Sequence, residues 1–215
     1  MSYLREAWYC AAWADEVTRK PLGRRILDIP VLLFRTEDGQ PVAIGDRCPH
    51  RFAPLSGGEL VGDVIRCPYH GLEFDVSGQC VANPHGNRSI PPRAKVAAFP
   101  VVERQHAIWI WMGSPEAADF SKLTDLELVA GHEQQFVSGH IRMTLNYLLI
   151  ADNLLDLTHA PYLHGADIAP RTASREAQFA VGEDWVSSTY LTRAAPTPAL
   201  QRLFLEDAEI GRAHV

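Results

Sequence analysis

Two cysteine–histidine pairs stand out among the side chains that can bind metals. Cys48-Pro49-His50 is followed, after sixteen intervening residues, by Cys67-Pro68-Tyr69-His70. Each pair offers one thiolate and one imidazole from a short loop that proline stiffens, and strands between the loops can bring them together. Two cysteines and two histidines suit either a tetrahedral zinc ion or a two-iron cluster in which histidines replace two of the cysteines.

The order of the ligands within each pair favours the cluster. Zinc motifs commonly pair Cys with Cys and His with His, whereas each loop here mixes the two types. If the loops face each other, Cys48 and Cys67 reach an inner iron. His50 and His70 then reach an outer iron that lies nearer the solvent. We therefore expect a [2Fe–2S] cluster at this site, with a structural zinc ion as the alternative.

A second polar pattern lies downstream, in a leucine-rich segment without Gly or Pro that predicts a helix over Asn146 to Leu157. Asn153, Asp156 and His159 are spaced three residues apart, so on a helix they form one slowly drifting polar stripe. By itself this pattern also fits an amphipathic helix with a solvated polar face.

A proline after this stripe provides a second histidine. Pro161 favours a break after Thr158 or His159, and a kinked turn there can bring His164 back beside His159. Two histidines and a carboxylate with open coordination positions bind non-haem Fe(II) and leave room for dioxygen. The segment therefore predicts a mononuclear iron site.

The first half of the chain, which must position the cysteine–histidine loops, has the pattern of an all-β unit. An apolar run from Val31 to Phe34, the turn residues Glu37-Asp38-Gly39 and a second run from Pro41 to Ile44 predict a hairpin. Further strands are expected at Val61 to Arg66, Glu73 to Val76, Val96 to Val102 and Ala107 to Trp111.

The pattern changes after a stretch without periodicity, Gly113 to Leu123, where we place a domain boundary between residues 1–115 and 116–215. The second part combines the predicted helix with strands, so the fold class is α+β. Its other expected elements are a strand over Phe136 to Thr144, an antiparallel pair at Glu176 to Ala180 and Trp185 to Arg193, and a short helix over Pro198 to Leu205.

Composition excludes several classes of protein. The 215 residues are 47% hydrophobic and 21% charged, which is ordinary globular usage. A formal net charge of −6 argues against a nucleic-acid partner, because a basic surface is expected there. No apolar run is long enough to span a membrane, and the N-terminus lacks the pattern of a signal peptide. We expect a cytoplasmic protein.

The two cysteine–histidine loops resemble the Rieske [2Fe–2S] domain. The similarity includes Arg51, Gly71 and Phe74 beside the four predicted ligands. Further segments resemble the oxygenase branch rather than the respiratory branch of that family: Ala7-Trp8-Tyr9, Ala11-Ala12-Trp13 and Ile108-Trp109-Ile110-Trp111. The resemblance implies iron–sulfur electron transfer that supplies an oxygenase.

The downstream segment is similar to the mononuclear-iron motif of Rieske non-haem iron oxygenase catalytic (alpha) subunits. The resemblance implies that His159 and His164 are iron ligands, that Asp156 links the two metal centres and that Asn153 lies beside the iron. It also implies a helix-grip-like catalytic domain. In the family, the electron crosses from the cluster to the iron of the neighbouring subunit in a homotrimer, and Asp156 would be its bridge.

Within the family, the chain is most similar to the oxygenase components of the vanillate and dicamba O-demethylases. This similarity implies a reductase or ferredoxin as electron donor, O₂ as oxidant and O-demethylation of a methoxylated aromatic acid. Aromatic-ring hydroxylation and N-demethylation are alternatives within the family. A Rieske ferredoxin-type electron carrier and a zinc-stabilised binding module are alternatives from other classes.

The chain departs from the family pattern near its end. Members of the family supply a third iron ligand, an Asp or Glu, from a helix far downstream of the second histidine. Glu206, Asp207 and Glu209 lie too early to match it. Residues 209–215 can also be back-translated into a common sequencing-library adapter. We therefore expect a C-terminally truncated chain, inactive alone, whose last seven residues are a non-native tail.

Overall fold

The computed structural model of the chain describes residues 3–123, 139–165, 174–183, 185–193 and 213–214. It divides into two compact units, Met1–His140 and Ile141–Val215. The first unit consists of antiparallel strands with short 3-10 turns, and the second combines helices with an antiparallel sheet. The predicted α+β fold class is confirmed.

Among the described residues of the first unit, eleven strands form three sheets. The strands are β1 Trp8–Trp13, β2 Leu22–Ile26, β3 Ile29–Arg35, β4 Pro41–Gly45, β5 Glu59–Val61, β6 Val64–Arg66, β7 Glu73–Phe74, β8 Cys80–Ala82, β9 Ala98–Phe99, β10 Val101–Arg104 and β11 Ala107–Trp111. The sheet orders are β1-β11-β10, β2-β3-β4-β9 and β5-β6-β7-β8. The hairpin predicted from the two apolar runs is the β3–β4 pair.

The burial of strand β3 explains why its apolar run is unbroken. Val31, Leu32, Leu33 and Phe34 are all 0% exposed, so the strand is covered on both faces. Because side chains alternate across a strand, Leu32 and Phe34 join one core and Val31 and Leu33 join another. The first core also contains Cys48, so β3 packs in the same core as a predicted ligand.

The sheet β5-β6-β7-β8 carries the second cysteine–histidine loop between β6 and β7, while the first loop follows β4 and leads into a 3-10 turn at Leu55–Gly57. Gly58, which follows that turn, allows a close backbone approach. A Cβ atom on Gly58 would lie 2.1 Å from the carbonyl oxygen of Arg66, so no larger residue fits without a backbone shift. This contact brings the end of the first loop close to the start of the second.

Two predicted strands are divided in the structure. The run Val61 to Arg66 is a hairpin, since the chain turns at Gly62, which has φ of +54°, and β5 pairs with β6. The run Val96 to Val102 is interrupted at Pro100, which has no N–H to donate, and β9 and β10 belong to different sheets. Strands β1, β2 and β8 were not predicted from the sequence.

The second unit begins with helix α1, Tyr147–Leu155, whose N-cap Asn146 accepts a hydrogen bond from the Leu148 N–H at 3.0 Å. A 3-10 turn at Leu157–His159 and helix α2, Ala160–Leu163, follow. The sheet consists of β12 Ser174–Val181, β13 Val186–Arg193 and β14 Ala213–His214, in that order. The predicted antiparallel pair is confirmed as β12 and β13.

The helix that carries the polar stripe is shorter than predicted. It ends at Leu155, and Asp156 has extended backbone angles, φ −101° and ψ 90°. The prediction that Asn153, Asp156 and His159 share one helix is therefore wrong. Asp156 lies after the end of α1, and its side chain caps the 3-10 turn that contains His159.

Of the strand expected over Phe136 to Thr144, residues 139–144 have no regular secondary structure, and the rest lies outside the described residues. The helix expected over Pro198 to Leu205 also lies outside them. Among the residues that are described, no helix has the length and apolar character needed to cross a membrane.

Candidate metal centres

The two cysteine–histidine loops are built by the same backbone hydrogen bonds. In the first, the Cys48 N–H donates to the Ala53 carbonyl at 2.9 Å, and the Phe52 N–H donates to the Cys48 carbonyl at 2.9 Å. In the second, the Cys67 N–H donates to the Leu72 carbonyl at 2.8 Å, and the Gly71 N–H donates to the Cys67 carbonyl at 3.0 Å. Two separate stretches of sequence therefore form equivalent ligand loops.

Each loop closes through a residue with a left-handed backbone. Phe52 has φ of +59° and Gly71 has φ of +70°. Glycine adopts this conformation without strain, whereas a phenylalanine does so at a cost. The Phe52 side chain is also 68% exposed, so burial of its ring does not offset that strain.

The predicted thiol ligands lie side by side at the base of the loops. Cys48 is 2% exposed and Cys67 is 3% exposed, and both belong to the core that contains Leu32 and Phe34 of β3. Burial raises the pKa of the Cys48 thiol, the neighbouring Cys67 raises it further, and the main-chain N–H groups of His50 and Arg51 oppose this effect. These N–H groups would stabilise a thiolate once a metal displaces the proton.

The predicted imidazole ligands form a second pair, farther from the core. The rings of His50 and His70 lie with centroids 4.6 Å apart. His50 is exposed and His70 is half-buried. Desolvation and the positive charges of His50, His85 and Arg51 lower the pKa of His70, which favours the neutral imidazole that binds metals.

The donor set fits a two-iron cluster. Two soft thiols in a dry interior and two imidazoles toward solvent are the ligands of a Rieske [2Fe–2S] centre, in which the two types bind different irons. Within the described residues, no three or more His, Cys, Asp or Glu side chains gather in a group that could hold a single metal ion. The four predicted ligands lie instead as one thiol pair and one imidazole pair.

A buried carboxylate that the sequence analysis missed fixes the first loop. Asp46 is 7% exposed and accepts hydrogen bonds from both the N–H and the hydroxyl of Ser56, each at 2.6 Å. These bonds tie the residue before the loop to the 3-10 turn after it. No sequence spacing distinguishes this pair from ordinary turn residues, so only the tertiary contact identifies it.

In the second unit, the structure brings the two predicted iron ligands together. The rings of His159 and His164 lie with centroids 5.4 Å apart, at an interplanar angle of 68°. The His159 Nδ1 atom lies 2.6 Å from the Asp156 main-chain carbonyl oxygen. Because a carbonyl can only accept, Nδ1 carries the hydrogen, and the Nε2 lone pair is left for a metal.

The Asp156 carboxylate is engaged locally. Its Oδ1 atom accepts hydrogen bonds from the Thr158 N–H at 2.9 Å and the Thr158 hydroxyl at 2.6 Å. The Thr158 hydroxyl is the main reason that the pKa of Asp156 lies below its usual value, and the Thr158 N–H, the charge of His159 and the Tyr190 hydroxyl lower it further. The contact to His159 comes from the Asp156 carbonyl, not from its carboxylate. Asn153 lies in α1, one turn before this site.

Comparison with known families identifies both halves of the chain. Residues 7–100 match the Rieske [2Fe-2S] domain, and residues 143–214 match the vanillate O-demethylase oxygenase C-terminal domain. The two matches include all eight predicted site residues.

Individual proteins agree with this assignment. The chain is 44% identical to the dicamba O-demethylase oxygenase component of Stenotrophomonas maltophilia, over 97% of this chain and 62% of that protein. It is 40% identical to the chloroacetanilide N-alkylformylase oxygenase component of Rhizorhabdus wittichii, over 97% of this chain and 59% of that protein. A crystal structure of dicamba monooxygenase with non-heme iron and dicamba has a TM-score of 0.76 and 44% identity, covering 88% of this chain and 54% of that one. The chain spans about three-fifths of the length of the relatives that it matches.

Proposed function

Because this chain belongs to the Rieske non-haem iron oxygenase family, we propose that it acts as the oxygenase component of a Rieske system that oxidises an aromatic substrate. The observation that carries the proposal is the pairing in the first unit. Two buried thiols and two outward imidazoles come from a pair of loops with the same backbone hydrogen bonds.

The four predicted ligands and the residues that support them have defined parts in this proposal. Cys48 and Cys67 would hold the inner iron in the dry core, and His50 and His70 would hold the outer iron nearer the solvent, where a single electron can enter or leave. The main-chain N–H groups of His50 and Arg51 stabilise the thiolate of Cys48. Asp46 and Ser56 keep the first loop closed.

The second unit provides the site for mononuclear Fe(II). His159 and His164 would be its ligands, and the hydrogen bond from His159 Nδ1 to the Asp156 carbonyl would leave Nε2 free to bind the metal. Asn153, in α1, would lie beside the iron. When bound, the cluster carries single electrons and the mononuclear iron supplies the reactivity with dioxygen.

The reaction that we propose is O-demethylation of a methoxylated aromatic acid, as the name of the dicamba relative indicates. The methyl carbon is oxidised by O₂ with two electrons from the reductase or ferredoxin system and two protons from solvent. The products are the phenol, formaldehyde and water. The relative named as an N-alkylformylase keeps oxidation at an N-linked alkyl group as the second candidate.

Assembly and location belong to the same proposal. In a homotrimer, Asp156 bridges the iron site of one subunit and His70 of the partner subunit. A carboxylate suits this role because it can accept a hydrogen bond from an imidazole N–H. A cytoplasmic location is part of the proposal.

The first test is chemical. We expect protein purified without oxygen to be brown, to contain iron and acid-labile sulfide in equal amounts in the cluster, and to give a Rieske-type electron paramagnetic resonance (EPR) signal when reduced. Stoichiometric zinc without sulfide would refute the cluster and favour the zinc-stabilised module.

The second test identifies the reaction, and it uses the complete gene product that contains this sequence. The protein, a ferredoxin and a reductase are supplied with O₂ and a panel of methoxybenzoates and N-alkyl anilides. Formaldehyde and a phenol from the methoxybenzoates support O-demethylation. Products hydroxylated on the ring, or dealkylation of the anilides alone, assign the protein to another reaction of the family. A protein that is reduced but consumes no O₂ with any substrate is an electron carrier.

A further inference from the structure

His85 contacts the second ligand loop at its histidine. The His85 Nε2 atom lies 2.8 Å from the main-chain carbonyl oxygen of His70, and the two rings are edge-on with centroids 6.3 Å apart. A carbonyl oxygen can only accept a hydrogen bond, so Nε2 is the protonated nitrogen and donates. With His50 and His70, His85 also lines a cavity of about 630 Å³.

The position of His85 is fixed by Asn83. The Asn83 Oδ1 atom accepts a hydrogen bond from the His85 N–H at 3.1 Å, and its Nδ2 atom donates to the Ser89 carbonyl at 2.7 Å. One amide side chain therefore ties together both ends of the segment 83–89. This segment, which we call the buttress loop, presents His85 to His70 although most of its residues are exposed.

A second contact joins the buttress loop to the same ligand loop. A Cβ atom on Gly71 would lie 3.3 Å from the Pro84 Cγ atom, so Pro84 packs closely against the Gly71 backbone. Gly71 is the residue whose N–H closes the loop onto the Cys67 carbonyl. Pro84 and His85 thus restrain two adjacent residues, one at the predicted iron ligand and one at the loop closure.

The two ligand loops differ in how they are held. The first is held by the residues on either side of it, because the Asp46 carboxylate accepts hydrogen bonds from Ser56. The second is contacted by the buttress loop, which lies beyond it in sequence. The orientation of His70 therefore depends on a side chain from outside its own loop.

We propose that His85 is a positioning residue for His70 and tunes the cluster that His70 binds. Its N–H donates to the His70 main-chain carbonyl, so it would hold the backbone of the ligand and place the positive end of a hydrogen-bond dipole beside the residue that would bind the outer iron. Donors near a cluster stabilise the reduced, more negative state and raise its reduction potential. The proposal rests on the proposed role of His70 as a cluster ligand.

The test compares two substitutions of similar size in the full chain. His85→Leu removes the donor, whereas His85→Gln keeps an N–H that can reach the same carbonyl. The readouts are the reduction potential, the EPR g-values of the reduced cluster and the rate at which a chelator removes iron. His140→Leu, at an exposed histidine of the same unit, is the control for loss of an imidazole.

We expect His85→Leu to lower the reduction potential, shift the g-values and speed iron loss about fivefold, the factor that corresponds to one neutral hydrogen bond. In His85→Gln, the potential, the g-values and the rate of iron loss should return toward those of the unsubstituted protein. In His140→Leu, all three should equal those of the unsubstituted protein. If His85→Leu retains no cluster, recovery of the cluster and its potential in His85→Gln carries the same conclusion.

Two results would overturn the inference. One is a His85→Leu protein whose potential and g-values equal those of the unsubstituted protein. The other is a His85→Gln protein that behaves like His85→Leu, since a hydrogen-bond donor would then not be the property that matters. Failure of the proposed function is a separate result, because it appears as the absence of a Rieske signal in the unsubstituted protein.

Discussion

The rings of His50 and His70 lie with centroids 4.6 Å apart, at an interplanar angle of 60°, although they belong to separate loops. The cysteines that precede them, Cys48 and Cys67, lie together in the core beneath. One structural feature produces both pairings, since each loop closes through the same two backbone hydrogen bonds. The sorting of ligands into an inner and an outer pair follows from this repetition.

Cys67→Ser should abolish the brown colour and the acid-labile sulfide, because a hydroxyl is a poor substitute for a thiolate on iron. Cys10→Ser is the matched control, since Cys10 is exposed and lies in β1. Visible absorption with iron and sulfide analysis provides the measurement. Equal loss of colour in both variants would show that the effect is not one of ligation.

Gly71→Ala should destabilise the first unit more than Gly39→Ala. Both glycines have positive φ, +70° and +85°, so both substitutions introduce backbone strain of about 1 kcal/mol. Only at Gly71 does the new Cβ meet a neighbour, Pro84 Cγ at 3.3 Å, whereas Gly39 has open space.

We expect a total destabilisation of about 2 kcal/mol for Gly71→Ala, with faster loss of the cluster. The temperature at which cluster absorbance disappears gives the comparison. If the two variants lose absorbance at the same temperature, Pro84 does not restrain the ligand loop.

Ser56→Ala should lower stability by about 2 kcal/mol, because it removes one of the hydrogen bonds that a buried carboxylate needs. Ser77→Ala is the control. The Ser77 hydroxyl also donates to a carboxylate, Asp75, at 2.6 Å, but Ser77 is exposed. Its loss should change stability by less than about 0.5 kcal/mol. Denaturant unfolding of both variants measures the difference, and equal effects would contradict the importance of burial.

Thr158→Val should raise the pKa of Asp156, because the Thr158 hydroxyl is the main group that lowers it. Thr158→Ser keeps the hydroxyl and should keep the low pKa. In the unsubstituted chain, stabilisation from this carboxylate is present above its unfolded-state pKa and is lost as the pH falls through the folded value. Carboxyl chemical shifts of Asp156, followed during an acid titration by nuclear magnetic resonance, test this. An unchanged midpoint in Thr158→Val would be inconsistent with the hydrogen bond.

His159→Ala should weaken Fe(II) binding at the second site by about tenfold or more while leaving the cluster spectrum intact, because one of two imidazole ligands is lost. His140→Ala, in the first unit, should leave both metals unaffected. Iron per cluster after equilibrium dialysis against Fe(II) is the quantity measured. A His159→Ala protein with full iron content would remove His159 from the site.

The sequence by itself determined which side chains can bind metals and where they lie along the chain. The types and spacing of Cys48, His50, Cys67 and His70 predict a ligand set whatever the details of the strands, since thiolates and imidazoles are metal ligands by their own chemistry. The apolar run of β3, the turn at Gly39 and the pairing of β12 with β13 also followed from local pattern. In each case the deciding interactions lie close together in the chain.

Only the tertiary structure decided the surroundings of those residues. Asp46, Ser56 and His85 are ordinary residues in sequence, and only contacts in the folded chain pair Asp46 with Ser56 and His85 with His70. The end of α1 at Leu155 was missed for a different, local reason: the Asp156 side chain accepts a hydrogen bond from Thr158, two residues later, and caps a new turn. Spacing predicts which atoms can bind a metal. The hydrogen bonds that orient them form only when the chain has folded.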